Sequence, residues 1–125
     1  MMKKEIGLLA ILMLLLNPLA VAKDSKEHFA TYGLGGESCS GYLQARQSGG
    51  ETEDAYRQWL AGYISAFNLI IDSNYDLFGS TDFEGMMTWL DDRCEKYPRA
   101  NLTNTVARFS EIVFPYRKQE KPDNK

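Results

Sequence analysis

Phe83-Glu84-Gly85-Met86-Met87-Thr88-Trp89-Leu90-Asp91-Asp92-Arg93-Cys94-Glu95-Lys96-Tyr97-Pro98 is the stretch that decides the fold. Apolar side chains recur at Phe83, Met86, Met87, Leu90, Cys94 and Tyr97, the spacing that lines up one face of an α-helix. Pro98 lacks the amide needed to continue and ends it. The preceding Thr81-Asp82-Phe83-Glu84 reads as a capping box, with Thr81 capping the amide near Glu84 while Glu84 reaches back. Cys94 falls on the buried stripe and therefore faces the helix that docks there.

Helical signals continue on both sides of this segment. Upstream, Ser73 to Ser80 reads as a loop, with Asn74, Asp76 and Gly79 as turn formers. Before it, a long helix is expected from Thr52 to about Asp72, with Thr52 as its N-cap and Glu53 and Asp54 in the first turn, where the helix dipole favours acids. Its apolar positions are Ala55, Trp59, Gly62, Tyr63, Ala66, Phe67 and Ile70. Gly62 and Ala66 would make a shallow place for another helix to approach. A short first helix, Ser38 to Gln47, is capped by Ser38, stopped by Gly49-Gly50, and given its apolar contact by Tyr42 and Leu43. Downstream, Asn101 caps a last helix carrying Leu102, Val106, Phe109, Ile112 and Val113, which stops before Pro115. Asn101-Leu102-Thr103 also matches a glycosylation sequon, but asparagine is a favoured cap. The expected fold is all-α, a domain of four helices over 38–115. It lies between a flexible glycine-rich lead (23–37) and a charged, disordered tail (116–125).

The first residues carry a different signal. Met1-Met2-Lys3-Lys4-Glu5, the apolar run Ile6 to Leu16, Asn17-Pro18 and the small triplet Ala20-Val21-Ala22 have the three-part order of a secretory signal peptide over 1–22, cut after Ala22. The run is shorter than the roughly 20 residues that span a bilayer, so no stable membrane insertion is expected after cleavage. Residues 23–125 have room for one domain. They hold 12 basic and 16 acidic side chains, a formal charge of −4. Such mild acidity argues against nucleic acid or an anionic membrane as the main partner. Two cysteines, Cys39 and Cys94, in an exported chain are expected to form a disulfide between the first and third helices. The long loop it closes makes it worth about 4 kcal/mol.

No constellation of catalytic groups stands out. Asp91, Asp92 and Glu95, with Arg93 among them, are the best cluster, and Asp91 and Glu95 share a helical face with Glu84 two turns earlier. A glycosidase would need such a pair held across a cleft. A solvated polar face opposite the Met86, Leu90 and Cys94 stripe is the simpler reading. The lone His28 and scattered carboxylates supply no zinc set. Ser38-Cys39-Ser40-Gly41 lacks a neighbouring base. Gly33-Leu34-Gly35-Gly36 lacks the strand and lysine of a phosphate loop. No catalytic residue, metal or cofactor is therefore expected. Trp59 belongs to the long helix's stripe, whereas Trp89 lies beside the third helix's stripe and is expected to be partly exposed. With Tyr42 and Met87, should the core open, Trp89 is a candidate contact residue for a protein partner.

Ser38-Cys39-Ser40-Gly41-Tyr42-Leu43 on a short first helix, then a long second helix, then Trp89-Leu90-Asp91-Asp92-Arg93-Cys94-Glu95-Lys96-Tyr97-Pro98 before a last helix, resembles the HdeA/HdeB acid-stress chaperone type. The resemblance covers roughly Glu37 to Phe114 and rests on short motifs. It implies a periplasmic homodimer that opens at low pH and holds unfolding clients on exposed apolar surface. The glycine-rich lead and the long Ser73 to Ser80 loop depart from that pattern. In a looser way the chain is similar to periplasmic immunity proteins that block type VI secreted amidases. For such an inhibitor of one periplasmic enzyme or toxin, a loop such as Asn74 to Gly79 would do the inserting.

Overall fold

Gly49 and Gly50 both have positive φ, 64° and 63°, a conformation that costs glycine little and side-chain-bearing residues much. The two left-handed residues reverse the chain between helix α1 (Cys39–Ser48) and helix α2 (Gly50–Ile70). They also move the start of α2 ahead of the expected Thr52. Gly49 occupies the cap position without a side-chain hydrogen bond, and Thr52 lies inside the helix, exposed. Helix α3 (Phe83–Lys96) and helix α4 (Leu102–Val113) complete the set. This computed structural model describes Lys26 and residues 28–123, and residues 31–123 belong to one compact unit. The signal peptide read over 1–22, with its cut after Ala22, lies outside the described residues.

The domain is all-α, and the described residues form no strand. Short 3-10 turns flank the helices at Gly33–Gly36 and Phe114–Tyr116. The disulfide Cys39–Cys94 joins α1 to α3 with Cα atoms 4.9 Å apart, both cysteines fully buried. Around it lie Tyr42 of α1, Tyr56, Leu60 and Ile64 of α2, Met86, Met87 and Leu90 of α3, and Leu102, Val106 and Phe109 of α4.

Of the other three helix starts, two behave as expected and one does not. Ser38 accepts from the Gly41 amide and Asn101 from the Asn104 amide, at 3.3 and 3.2 Å. Asn101 also donates through Nδ2 to the Gly36 carbonyl at 3.3 Å, so both ends of its amide are engaged. The cap of α3, however, is Asp82, whose carboxylate accepts from the Gly85 amide at 2.8 Å. A carboxylate at this position satisfies the free amide and also meets the positive end of the helix dipole, an advantage that the Thr81 hydroxyl lacks. Glu84 does not reach back but pairs with Arg57 on α2, so the expected box does not form.

The buried face of α2 is rotated from the expected one. Tyr56, Leu60 and Ile64 are buried and Trp59, Tyr63 and Phe67 half-buried, whereas Ala55, Gly62, Ala66 and Ile70 face solvent. Both faces have helical period, but the larger side chains remove far more apolar area from water at roughly 25 cal/mol per Å². A Cβ added at Gly62 would meet nothing within 4 Å, so no helix approaches there. Tyr97 and Ile112, also expected inside, are exposed.

The lead is not a free hinge at its C-terminal end. Gly33–Gly36 packs on α2 and α4, with Gly35 buried. The Gly35 carbonyl accepts from the Thr103 hydroxyl at 2.9 Å, and the Trp59 indole donates to the Tyr32 carbonyl at 2.9 Å. A Cβ on Gly35 would fall 2.0 Å from Trp59 Cζ2. The start of the tail is also held. The Lys118 amide donates to the Asp76 carbonyl at 2.9 Å and its carbonyl accepts from the Asp76 amide at 3.1 Å, while Arg117 donates to the Ser73 carbonyl at 3.1 Å.

Candidate protein-binding surface

Residues 58–71 of the sequence carry no charge. Residues 58–70 form about the C-terminal two thirds of α2, and only one side of that length is covered. Leu69 is 84% exposed and Ile70 71% exposed. On the flank toward α4, an open cleft of about 460 Å³ is lined by Tyr63, Phe67, Ile71, Ala107, Ser110, Glu111 and Phe114. Phe67 and Phe114 meet edge to face at its floor, ring centres 6.2 Å apart. Burial pushes the Tyr63 phenol above its ordinary range, against the opposing pull of its hydrogen bond with Ser110. Ile112 and Tyr116 are exposed as well, at 44% and 66%. A cleft this size, apolar with few polar groups, has the composition of a binding site. Contiguous exposed apolar patches, unlike scattered single residues, are common at contact surfaces.

A second arrangement ties three helices together through polar groups. The Tyr42 hydroxyl donates to Asp91 Oδ1 at 2.8 Å. Arg46 grips the same carboxylate with Nε and Nη2 at 2.9 and 2.7 Å. The chain of charges continues from Arg46 to Glu53, from Glu53 to Arg57 at 3.8 Å, and from Arg57 to Glu84. Helices α1, α2 and α3 are thus linked through alternating signs. Burial, then the Asp91 carboxylate, holds the Tyr42 phenol far above its usual range. The bond to Asp91 is the largest reason the Arg46 guanidinium holds its proton even more firmly than usual. The Arg57 guanidinium holds the exposed Glu84 carboxyl below the usual carboxylate range.

The expected solvated face of α3 therefore divides. Asp92 and Glu95 are exposed, but Asp91 is half-buried, its oxygens committed to Arg46 and Tyr42. Asp91 and Glu95 do share a shallow hollow with Leu43, Arg46 and Gln47. Among the described residues no group of three metal-ligating side chains gathers. No helix there is long and apolar enough to cross a membrane.

Of the candidate contact residues, Trp89 is half-buried with its ring 5.5 Å from that of Phe109. Tyr42 and Met87 are fully buried, so neither touches a partner while the core is closed. In the loop proposed for insertion, Asn74 and Leu77 face inward, and the Asn68 side chain accepts from the Asn74 side-chain amide and the Leu77 main-chain amide, at 3.0 and 2.9 Å. Tyr75 remains 44% exposed. Sequence reading passed over Leu69 and the cleft. The charge-free run in a chain that is otherwise one-quarter charged was the available signal. No family model, curated protein or solved structure matches this chain.

Proposed function

We propose that this chain is an exported, non-enzymatic protein-binding protein of the periplasm, acting as a chaperone that holds apolar segments of unfolding clients under acid or envelope stress. The observation that carries this reading is the uncharged C-terminal part of α2, with Leu69 and Ile70 exposed beside the α2–α4 cleft. An apolar client segment laid there removes both its own and the domain's exposed apolar area from water. Export and oxidation of the two cysteines suit the compartment. Acid activation is a matter of charge. Protonating the 16 carboxylates of 23–125 carries the chain from −4 to about +12, and self-repulsion of that size loosens contacts. At neutral pH the same exposed helix face, with Leu69 and Ile70, closes a homodimer.

The test is suppression of light scattering by three unrelated aggregating clients between pH 2 and 7. Suppression should rise as pH falls and drop at least fivefold in the double variant Leu69→Glu with Ile70→Glu. No suppression at any pH overturns the chaperone reading. An inhibitor of one enzyme, using the projecting Tyr75, is the alternative. Tight capture of a single partner, without effect on unrelated clients, would establish it instead.

A further inference from the structure

The end of the molecule formed by the C-terminus of α3 and the start of α4 holds a small pocket of about 220 Å³ that is unlike the rest of this acidic domain. It is lined by Arg93, Tyr97, Ala100, Asn104, Thr105 and Arg108. Two arginines and no carboxylate line it, although the chain as a whole carries more acids than bases. Arg93 lies over the Tyr97 ring, its guanidinium carbon 4.1 Å from the ring centre. Stacking of this kind fixes the plane of the guanidinium and leaves its edge of N–H donors free. Among the described residues Arg93 has no ion pair. Arg108 has one, to Glu111 at 2.8 Å, and both partners are largely exposed, so an incoming acid exchanges readily for it. The Thr105 hydroxyl is committed to the Asn101 carbonyl at 2.9 Å and the Asn104 main-chain amide to the Asn101 side chain at 3.2 Å, which leaves the two arginines and the Asn104 side chain as donors at the pocket wall.

The geometry points to a subsite that takes a carboxylate of an acidic peptide, held between the edges of Arg93 and Arg108. A planar, singly charged group matches a guanidinium fork, and the aromatic and methyl walls of Tyr97 and Ala100 suit the carbon stem of a glutamate. This inference rests on the protein-binding reading and deepens it. Clients or partners with an acidic residue beside an apolar segment would be preferred above about pH 4, where that residue carries its charge, and the preference would fade as it is protonated.

Side-chain NMR of the intact domain at pH 7 tests it, using the arginine Nε–H signals. The probes are a blocked hexapeptide with two glutamates, its glutamine counterpart, inorganic phosphate, and sodium chloride at equal ionic strength. The glutamate peptide should give saturable shifts at Arg93 and Arg108, with a dissociation constant in the millimolar range. Binding should weaken about tenfold in Arg93→Gln and in Arg108→Gln, with the far-UV spectrum unchanged. The glutamine peptide should give no saturable shift. Shifts that merely track ionic strength, phosphate binding as tight as the peptide's, or unchanged affinity in both variants would overturn the subsite. Client suppression lost in Leu69→Glu but kept in Arg93→Gln would separate failure of this subsite from failure of the protein-binding reading.

Discussion

Tyr42 shows how one residue ties the core to the surface. Its ring lies in the core beside α3, edge to face with Tyr56 at 5.9 Å, while its hydroxyl donates its proton to Asp91. The folded domain keeps that proton at a pH where an unfolded tyrosine, with an ordinary pKa near 10, has lost it. A group whose folded pKa is raised contributes stability that is present in full below the unfolded value and is lost as pH rises from there through the folded one. Alkaline denaturation should therefore steepen above about pH 10. In Tyr42→Phe the slope should shrink by up to about 1.4 kcal/mol per pH unit, the worth of one proton, in urea titrations between roughly pH 9 and 11.5. An equal slope in both proteins would remove Tyr42 from the account. Gly35 is the other position where a single atom matters. A methyl there collides with the Trp59 ring, and overpacking of this kind costs about 1–3 kcal/mol. Gly35→Ala should lower stability by about 2 kcal/mol in chemical denaturation, whereas a loss under about 0.5 kcal/mol would show that the turn lifts off freely.

Helix α1, with ten residues, is too short to persist alone in water. Its first amides are satisfied from another part of the chain, Cys39 N by the Ala100 carbonyl at 2.8 Å and Ser40 N by that of Pro98 at 2.9 Å. Its side chains are pinned twice to α3, by Cys39–Cys94 and by Arg46 to Asp91. The disulfide joins residues 55 apart in sequence, for which the chain-entropy model gives about 4 kcal/mol. The double variant Cys39→Ser with Cys94→Ser should lose most of that in guanidinium titrations, and the parent with reductant should lose as much. If neither changes, the helix is held by packing and the Arg46–Asp91 contact alone. Helix α2 presents the opposite case. At 21 residues it is the longest of the four helices; its larger side chains find cover, and its outer face, with Leu69, does not.

Across the whole molecule, the division between what sequence determined and what needed the tertiary structure matches the range of the forces. Four helices, an all-α class and the Cys39–Cys94 pairing come from local signals: apolar period, the caps at Ser38 and Asn101, the stop at Pro98, and two lone cysteines. Each acts within a turn or two of the chain, or has a single possible partner. The rotation of α2 was not legible, because Ala55, Gly62 and Ala66 have the same period as Tyr56, Leu60 and Ile64, and only competition for buried area separates them. Nor was the role of Asp91, which on its own helix looks like any solvated acid until Tyr42 and Arg46 arrive from 49 and 45 residues away. The cleft beside Leu69 and the Arg93–Arg108 pocket belong to this second group. Both are made by residues that meet only when helices pack, so the surfaces that carry the proposed function were decided by tertiary structure, on a helical frame whose period and caps were already written in the chain.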